Sequence, residues 1–479
     1  MVKKTSAPLP VRRSFTVLLR DYDFAADIHL FHSRGEHILL DVNSGAIHLL
    51  DDMTSDLVEY MADQGGSMTA AIEALIREKT YERSDLEQAA DELKAAREEQ
   101  ALFTERVHFD PQLPHLRIKA LCLNVAHACN MSCKYCFAQQ GDFGMKPALM
   151  DADTGKRALE FLIRQSGLIR NLEVDFFGGE PLLVFDVVRE LVLYARQREP
   201  EVSKRFNFTL TTNASLLTPE IMEFVVEHDI SVILSLDGRQ ETNDAQRIFN
   251  NGQGTYQTIV PRIQAMVAKQ PPSYYVRGTF TRSNLDFAQD VRHMAELGFD
   301  SISVEPAVGA DSACSIKAED LPQVMAEYER LTELLLDCYR QGKDIHFFHY
   351  NLNLDGGPCI AKRSSGCGAG LEYLAVTPEG DIYPCHQFVG VPGFLMGNVH
   401  GEFAAYPIRE RFEHNQMGNK ACSACWARYF CGGGCHANAY FTNKDMSIPD
   451  EVSCVMQKKR IEEAIYLELA KQQAIAAME

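Results

Sequence analysis

An α/β chain organised as a partial (β/α)6, TIM-like barrel with an extra unit at each end is the predicted fold class. Three observations predict it. Over residues 117–310, short apolar strands alternate with stretches of helical periodicity. A smaller α+β pattern precedes this region, within residues 1–105, and a cysteine- and glycine-rich region, 355–479, follows it. Eleven of the fourteen cysteines fall either between Cys129 and Cys136 or between Cys359 and Cys454. That distribution marks two separate metal or redox regions.

In chain order, Asp27–His32, His37–Val42 and Ala46–Leu50 read as short strands, the last after the turn Asn43-Ser44-Gly45. Helical patterns follow at Leu57, Val58 and Met61, then at Ala71, Ile72, Leu75 and Ile76. A third helix is predicted from Ser84, with Glu87 completing a capping box. Three strands and three helices suggest a winged-helix arrangement. A charged linker over Ala95–Leu116 leads to six strands: Ala120–Ala126, Leu172–Phe177, Asn207–Thr212, Ser231–Leu236, Tyr275–Thr281 and Ser301–Glu305. Thr154–Gln165 and Asp186–Arg196 read as crossover helices, which implies parallel strands. Six such units make a partial barrel rather than a closed one of eight, with its chemistry at the carboxyl ends of the strands. Helices are also expected at Leu321–Tyr339 and Val455–Ala477.

Lysine and arginine number 47 against 66 aspartates and glutamates, a net charge of −19, which disfavours a nucleic-acid partner. The opening MVKKTSAPLPVRR lacks a following apolar run of signal-peptide length, and no stretch reaches the length of a membrane span. A cytoplasmic protein without a membrane partner is expected. In that reducing compartment, clustered cysteines bind metal or do redox chemistry more often than they form disulfides.

Cys129, Cys133 and Cys136 are spaced C-x3-C-x2-C just past the first barrel strand. Three thiolates on one loop can hold three irons of a four-iron cluster and leave the fourth open; a zinc site completed by His127 is the alternative. Gly178-Gly179-Glu180-Pro181 follows the next strand. Two glycines allow close backbone approach to a ligand, and a carboxylate beside them can grip an ammonium group. Together the triplet and this motif resemble the radical S-adenosylmethionine superfamily. The resemblance implies that the open iron chelates the methionine end of S-adenosylmethionine, whose reductive cleavage yields a 5′-deoxyadenosyl radical. It also implies cofactor contacts at Tyr135 beside the adenine, at Asn213, at Ser235 near the ribose, and at Arg247 and Arg277 for the methionine carboxylate. Each of these, taken singly, could equally be a surface or turn residue.

The second region reads Cys367-x12-Gly380-x4-Cys385, then Cys422-x2-Cys425-x5-Cys431-x3-Cys435, then Cys454. The four cysteines from Cys422 to Cys435 could alone form a zinc knuckle. The full order resembles the SPASM extension of peptide-modifying radical enzymes. That resemblance implies two auxiliary clusters, one on Cys422, Cys425, Cys431 and Cys454, the other on Cys367, Cys385 and Cys435. With the first loop this makes three [4Fe-4S] clusters. The inner auxiliary site is one ligand short, to be filled by Cys359 or left open to bind a substrate thiol. His386 stands where sulfatase-maturing relatives carry an aspartate base, so it is either a base or a supporting residue. Cys122, Cys314 and Cys338 lie outside both groups and read as inert thiols.

The acidic side chains Asp51, Asp52, Asp56, Glu59 and Asp63 speak against DNA binding by the first unit. The unit resembles the domain by which enzymes that modify ribosomal peptides capture a leader peptide through strand addition. LLDVNSGAIHLLDD, CNMSCKYCFAQQGDFG, YYVRGTFTRSNLDF, SISVEPAV and CGAGLEYLAVTPEGDIYPCHQFVG are similar to two sibling groups: six-cysteine peptide maturases and the maturation protein of quinohemoprotein amine dehydrogenase. Both join a cysteine sulfur to another residue's carbon, an α-carbon in the first and an aspartate or glutamate methylene in the second. The alanine- and arginine-rich helices favour the second group. The implied partners are a cysteine-containing peptide or small subunit with a leader, and an external electron donor of flavodoxin or ferredoxin type. The rival readings are a related enzyme forming carbon–carbon or carbonyl products and a non-enzymatic zinc regulator.

Overall fold

The computed structural model describes residues 19, 21–106, 117–308, 313–352, 354, 366–404, 406–415, 417–419 and 421–476. They fall into two compact units. The first comprises the described parts of 1–109 and 353–359 together with Ala424–Tyr429. After a one-turn helix α1 (Phe24–Asp27), strands β1 (Ile28–Ser33), β2 (Glu36–Asp41) and β3 (Ile47–Leu50) form an antiparallel sheet in the order β1-β2-β3. The register pairs Leu30 with Leu39 and Ile38 with Leu49. Helices α2 (Asp52–Asp63), α3 (Met68–Glu78) and α4 (Arg83–Glu98) follow. Asp51 caps α2 through the Thr54 amide at 2.7 Å, and Ser67 caps α3 through the Ala70 amide at 3.3 Å. Leu39, Leu57, Met61, Leu75 and Leu86 make the shared apolar core.

Two local expectations change here. The helix predicted from Ser84 starts at Arg83 with Glu82 before it and no side-chain cap, so the capping box does not form. Ser84 instead donates its hydroxyl to the neighbouring Asp85 carboxylate at 3.2 Å. The same helix runs to Glu98, so Ala95–Glu98 are helical rather than linker. Alanine-rich sequence carries a helix forward at little cost.

Ala424–Tyr429 joins this unit through two side chains. Trp426 stacks on His29 of β1 with ring centroids 3.6 Å apart. The Arg428 guanidinium, 1% exposed, donates to the Ala26 carbonyl, to the Asp27 carboxylate at 2.5 Å and to Asn43 Oδ1 at 2.7 Å. Arg106 Nη2 reaches the same carboxylate at 3.0 Å. A buried ion held by several hydrogen bonds is stable only as a complete set.

The second unit carries the barrel. Strands β4 (Ala120–His127), β5 (Ala148–Leu149), β6 (Asn171–Gly178), β7 (Arg205–Thr212), β8 (Ile230–Ser235), β9 (Tyr274–Phe280), β10 (Ser301–Pro306), β11 (His346–Phe347), β12 (Tyr373–Val376), β13 (Asp381–Tyr383) and β14 (Gly397–Asn398) form one sheet. Its order is β11-β10-β9-β8-β7-β6-β4-β12-β13-β14, with β5 on β4. Every pair from β11 to β12 is parallel. Helices α5 (Ala152–Gln165), α6 (Phe185–Val202), α7 (Pro219–Glu227), α8 (Gln240–Gln246), α9 (Tyr256–Ala268), α10 (Phe287–Glu296) and α11 (Leu321–Arg340) are the crossovers and flanking helices.

The six strands expected from sequence are β4 and β6–β10. On β6, β7 and β8 every second residue is buried, including Val174, Phe176, Phe208, Leu210 and Val232. The alternate positions include Asp175, Thr209, Thr211, Ile233 and Ser235, which line a cavity. Alternation of two is the signature of a strand with unlike faces. The parallel strand β12 was not expected: Tyr373–Val376 pairs with Ala120–Leu123 and brings the second cysteine region onto the barrel sheet. The helix near the carboxyl end spans Glu451–Ala476, beginning four residues before the expected Val455.

Arg428→Ala should leave Asp27 buried with only Arg106 beside it, costing the first unit about 3–5 kcal/mol. Hydrogen exchange of the β1 and β2 amides is the check; accelerated exchange confined to this unit is the expected outcome.

Candidate active site

A cavity of about 460 Å³ opens at the carboxyl ends of the barrel strands. That is an ordinary size for a small-molecule site. Cys129, Cys133 and Cys136 line it together with Tyr135, Gly178, Gly179, Asn213, Ser235, Arg247, Arg277 and His386. Residues scattered over more than 250 positions of sequence are therefore brought to one place.

The cysteine loop follows β4, whose register with β6 shifts between Asn124 and Ala126 just before the strand ends at His127. It is pinned on one side by the segment 246–250: the Ser132 amide donates to the Ile248 carbonyl at 2.8 Å, and the Lys134 amide to the Gln246 carbonyl at 3.0 Å. Asn250 Nδ2 reaches the Cys129 carbonyl at 3.1 Å. On the other side lie the two glycines. A Cβ on Gly178 would sit 2.3 Å from the Ala126 carbonyl oxygen, and one on Gly179 2.1 Å from that of Ala128. The Gly179 amide donates to Ala126 at 2.7 Å and the Glu180 amide to Ala128 at 2.9 Å. Only glycine permits that backbone contact.

Glu180 departs from the sequence reading. Its fully buried carboxylate accepts from the Thr212 hydroxyl at 2.7 Å, the Asn213 amide at 2.8 Å and the Leu182 amide at 3.0 Å, and it does not line the cavity. It ties the end of β6 to the end of β7 and is not placed to grip an ammonium group. Asn213 extends the tie, donating Nδ2 to Asn130 Oδ1 at 2.9 Å and lying 3.8 Å from Cys129 Sγ.

Tyr135 donates its hydroxyl to Asp237 at 2.8 Å and accepts from Arg247 Nη1 at 2.7 Å; Arg247 also lies 3.8 Å from Asp237. The Thr279 amide donates to Asp237 at 3.1 Å. Burial lifts the Asp237 carboxyl to about 6 against the pull of Arg247. Asp237 was not singled out from sequence, although it stands in the motif Ser235-Leu236-Asp237-Gly238. Arg247 Nε is buried with no hydrogen-bond partner among the described residues. A cationic donor left open beside a cavity is suited to an anionic ligand group.

His386 forms a hydrogen bond through Nδ1 with the Tyr373 hydroxyl at 3.0 Å and packs near Phe177 and Phe137, at 5.2 and 5.4 Å between ring centroids. Burial first, and then Arg277, pushes its pKa down to about 4. At neutral pH it is an uncharged imidazole of low basicity, which weakens the base reading. Arg277 pairs with Glu305. Cys122, expected to be an inert core thiol, is buried in β4 but lines the cavity with Asp175 and Tyr373. His127 does not line it; its ring packs on Phe143 at 4.9 Å, away from the role of a fourth metal ligand.

Burial first, then the neighbouring thiols of Cys435 and Cys367, pushes the Cys385 thiol up, and burial with Cys367 nearby pushes up that of Cys435, so the three thiols lie close together. Cys422 sits in the turn Ala421–Ala424, Cys431 ends the helix Arg428–Cys431, and Cys454 lies in the helix Glu451–Ala476. Cys425 belongs to the Ala424–Tyr429 segment. Cys359 lies outside the described residues. Among the described residues no three cysteine, histidine or carboxylate side chains are already closed at metal-bonding geometry. The fit of the first loop to a cluster and a sulfonium ligand rests on its three thiols at the cavity, the glycine cradle and the open Arg247 donor.

Residues 123–292 match the model of the Radical SAM superfamily. Together with the strand order and the cysteine loop at the barrel mouth, this makes the chain a radical S-adenosylmethionine enzyme. It is 26% identical over 344 residues to the mycofactocin maturase MftC of Mycolicibacterium smegmatis, covering 69% of this chain and 81% of that protein. Its fold is like that of anSMEcpe with bound AdoMet (TM-score 0.61, 18% identity, 74% of this chain and 99% of that one). It is also like that of Streptococcus suis SuiB bound to the precursor peptide SuiA (TM-score 0.51, 17% identity, 89% and 98%).

Two outcomes test this site. Gly179→Ala should push the cysteine loop off the end of β6; iron analysis of anaerobically purified protein should show a loss of about four irons per chain. Asp175 on the cavity floor has its carboxyl lifted to about 6, by burial first and then by Glu173. Because the folded value lies above the unfolded one, ionisation of Asp175 takes away stability as pH rises from about 4 to 6, and its cost is constant above that. Asp175→Asn should therefore be more stable than wild type at pH 7, on the order of 2 kcal/mol, with the gain vanishing near pH 4 in denaturant titrations.

Proposed function

We propose that this enzyme modifies a ribosomally made peptide or small protein subunit by joining a cysteine sulfur to a carbon of another residue, an aspartate or glutamate methylene. One observation carries the reading. The cavity lined by the Cys129–Cys136 loop is also lined by His386 and Gln387, next to Cys385. A radical source and a thiol-binding iron on the Cys367, Cys385 and Cys435 group would thus face one substrate. MftC is named a maturase, and SuiB was crystallised with its precursor peptide, which supports a peptide substrate.

When bound, the cluster and S-adenosylmethionine supply a hydrogen-abstracting 5′-deoxyadenosyl radical. The protein's own contributions are positional. Cys129, Cys133 and Cys136 would hold the cluster, and Gly178 and Gly179 keep side chains out of the ligand's path. Arg247 offers a buried donor to a carboxylate, braced by Tyr135 and Asp237. Cys367, Cys385 and Cys435 would hold the inner auxiliary cluster, and Cys422, Cys425, Cys431 and Cys454 the outer one. Phe137, Phe177, Tyr373 and neutral His386 form an uncharged wall. Among the described strands β3 pairs only with β2, which leaves an edge of Ile47–Leu50 for a leader peptide to join as an added strand. An acidic face around Asp52, Asp56 and Glu59 suits a leader with basic residues.

The full chain, reduced and supplied with S-adenosylmethionine and a cysteine-containing precursor, should lower the peptide mass by two daltons per bridge. Metal analysis should give about twelve irons per chain. Cys385→Ala should still form 5′-deoxyadenosine but make no bridge. An unchanged peptide mass alongside 5′-deoxyadenosine from the wild type overturns the thioether reading, and a blocked-thiol peptide that is still modified favours carbon–carbon products.

A further inference from the structure

Among the described residues, two cations line the cavity, Arg247 and Arg277. They are held differently. Arg247 has a side chain 10% exposed and is locked on Tyr135 and Asp237. Arg277 projects from the middle of β9 with a side chain 41% exposed, and one nitrogen, Nη2, on Glu305. Its Nη1 and Nε have no hydrogen-bond or ion-pair partner among the described residues. The two bidentate edges of a guanidinium, Nε with Nη2 and Nη1 with Nη2, share Nη2, so one Nη2 hydrogen on Glu305 leaves the other edge for a carboxylate.

Glu305 has a further near neighbour, a His349 imidazole that burial, then Arg460 and Arg277, hold uncharged. His349 Nε2 lies 4.0 Å behind it, and His349 is fixed by the Ser303 hydroxyl at 3.2 Å and by Arg460 Nη1 at 3.2 Å on Nδ1. Beside the pair of Arg277 and Glu305 stand Asp175 and the rings of Phe137, Phe177 and Tyr373. A substrate carboxylate entering this cavity would meet two acidic side chains and apolar rings, and its desolvation is offset only by a cation with a free edge.

We infer that Arg277 is a specificity-determining residue that takes the carboxylate of an acidic substrate side chain while Glu305 aims its guanidinium into the cavity. This separates the two arginines: Arg247 faces the cofactor side and Arg277 the substrate. The inference rests on the proposed function only for the use made of that side chain; the binding preference stands by itself.

The test uses the anaerobically reconstituted full chain and two probes, the peptide acetyl-Gly-Cys-Gly-Gly-Asp-Gly-amide and its twin with Asn in place of Asp. Isothermal titration should show wild type binding the Asp peptide about tenfold more tightly than the twin. Arg277→Gln should erase that preference and Arg277→Lys should retain part of it. In equilibrium dialysis without reductant, Arg277→Gln should hold S-adenosylmethionine within about twofold of wild type, whereas Arg247→Gln should lose about tenfold or more. Equal binding of the two peptides by wild type overturns the inference without needing any variant to fold. Loss of S-adenosylmethionine affinity in Arg277→Gln also overturns it, by returning Arg277 to the cofactor. A peptide preference that persists where no two-dalton loss is found leaves this inference standing and removes only the thioether reading.

Discussion

Backbone meets backbone where β6 ends beneath the cysteine loop, and the site depends on that contact. The carbonyls of Ala126 and Ala128 accept from the amides of Gly179 and Glu180 at hydrogen-bond distance, with no room for a side chain at Gly178 or Gly179. This fixes the loop's height above the barrel. It also explains the buried Glu180: a carboxylate with three donors from β6 and β7 is a brace that keeps two strand ends in register. Three thiols on one loop face the cavity because the loop has no freedom to do otherwise.

Around that fixed point the cavity divides by charge. One side holds Tyr135, Asp237 and Arg247, a compact buried network with one donor left open. On the neighbouring strands β9 and β10 stand Arg277 and Glu305, partly exposed and with His349 close by. Asp175 on β6, its carboxyl lifted to about 6 by burial, and the small Thr209 and Thr211 on β7 complete the lining from the other strands. A cofactor with a charged amino-acid end and a substrate with its own functional groups need such separation, since two ligands competing for one cation would lower the occupancy of both. The first unit follows the same logic in its own core, where Arg428 joins Asp27, Asn43 and a helix-end carbonyl into one set.

Much of this was determined by sequence alone. The alternation of short apolar runs with stretches of helical periodicity located β4 and β6–β10 within two residues at each end, because each parallel strand is a buried apolar run that returns through a helix. Cysteine spacing is local, so the loop after β4 was legible, and glycines next to a strand end marked the close approach. Tertiary structure decided the rest. Glu180 could be assigned to an internal brace only once Thr212 and Asn213, some thirty residues away, were seen beside it. Tyr373 joined His386 and Cys122 at the cavity through a parallel pairing with β4 that no periodicity announces, because a four-residue buried strand has no pattern of its own. Arg428 gave no sign in sequence of its partner near residue 27, and the unlike settings of Arg247 and Arg277 arise from neighbours on other strands. Local patterns record which face a residue presents, whereas long-range pairing decides what that face meets.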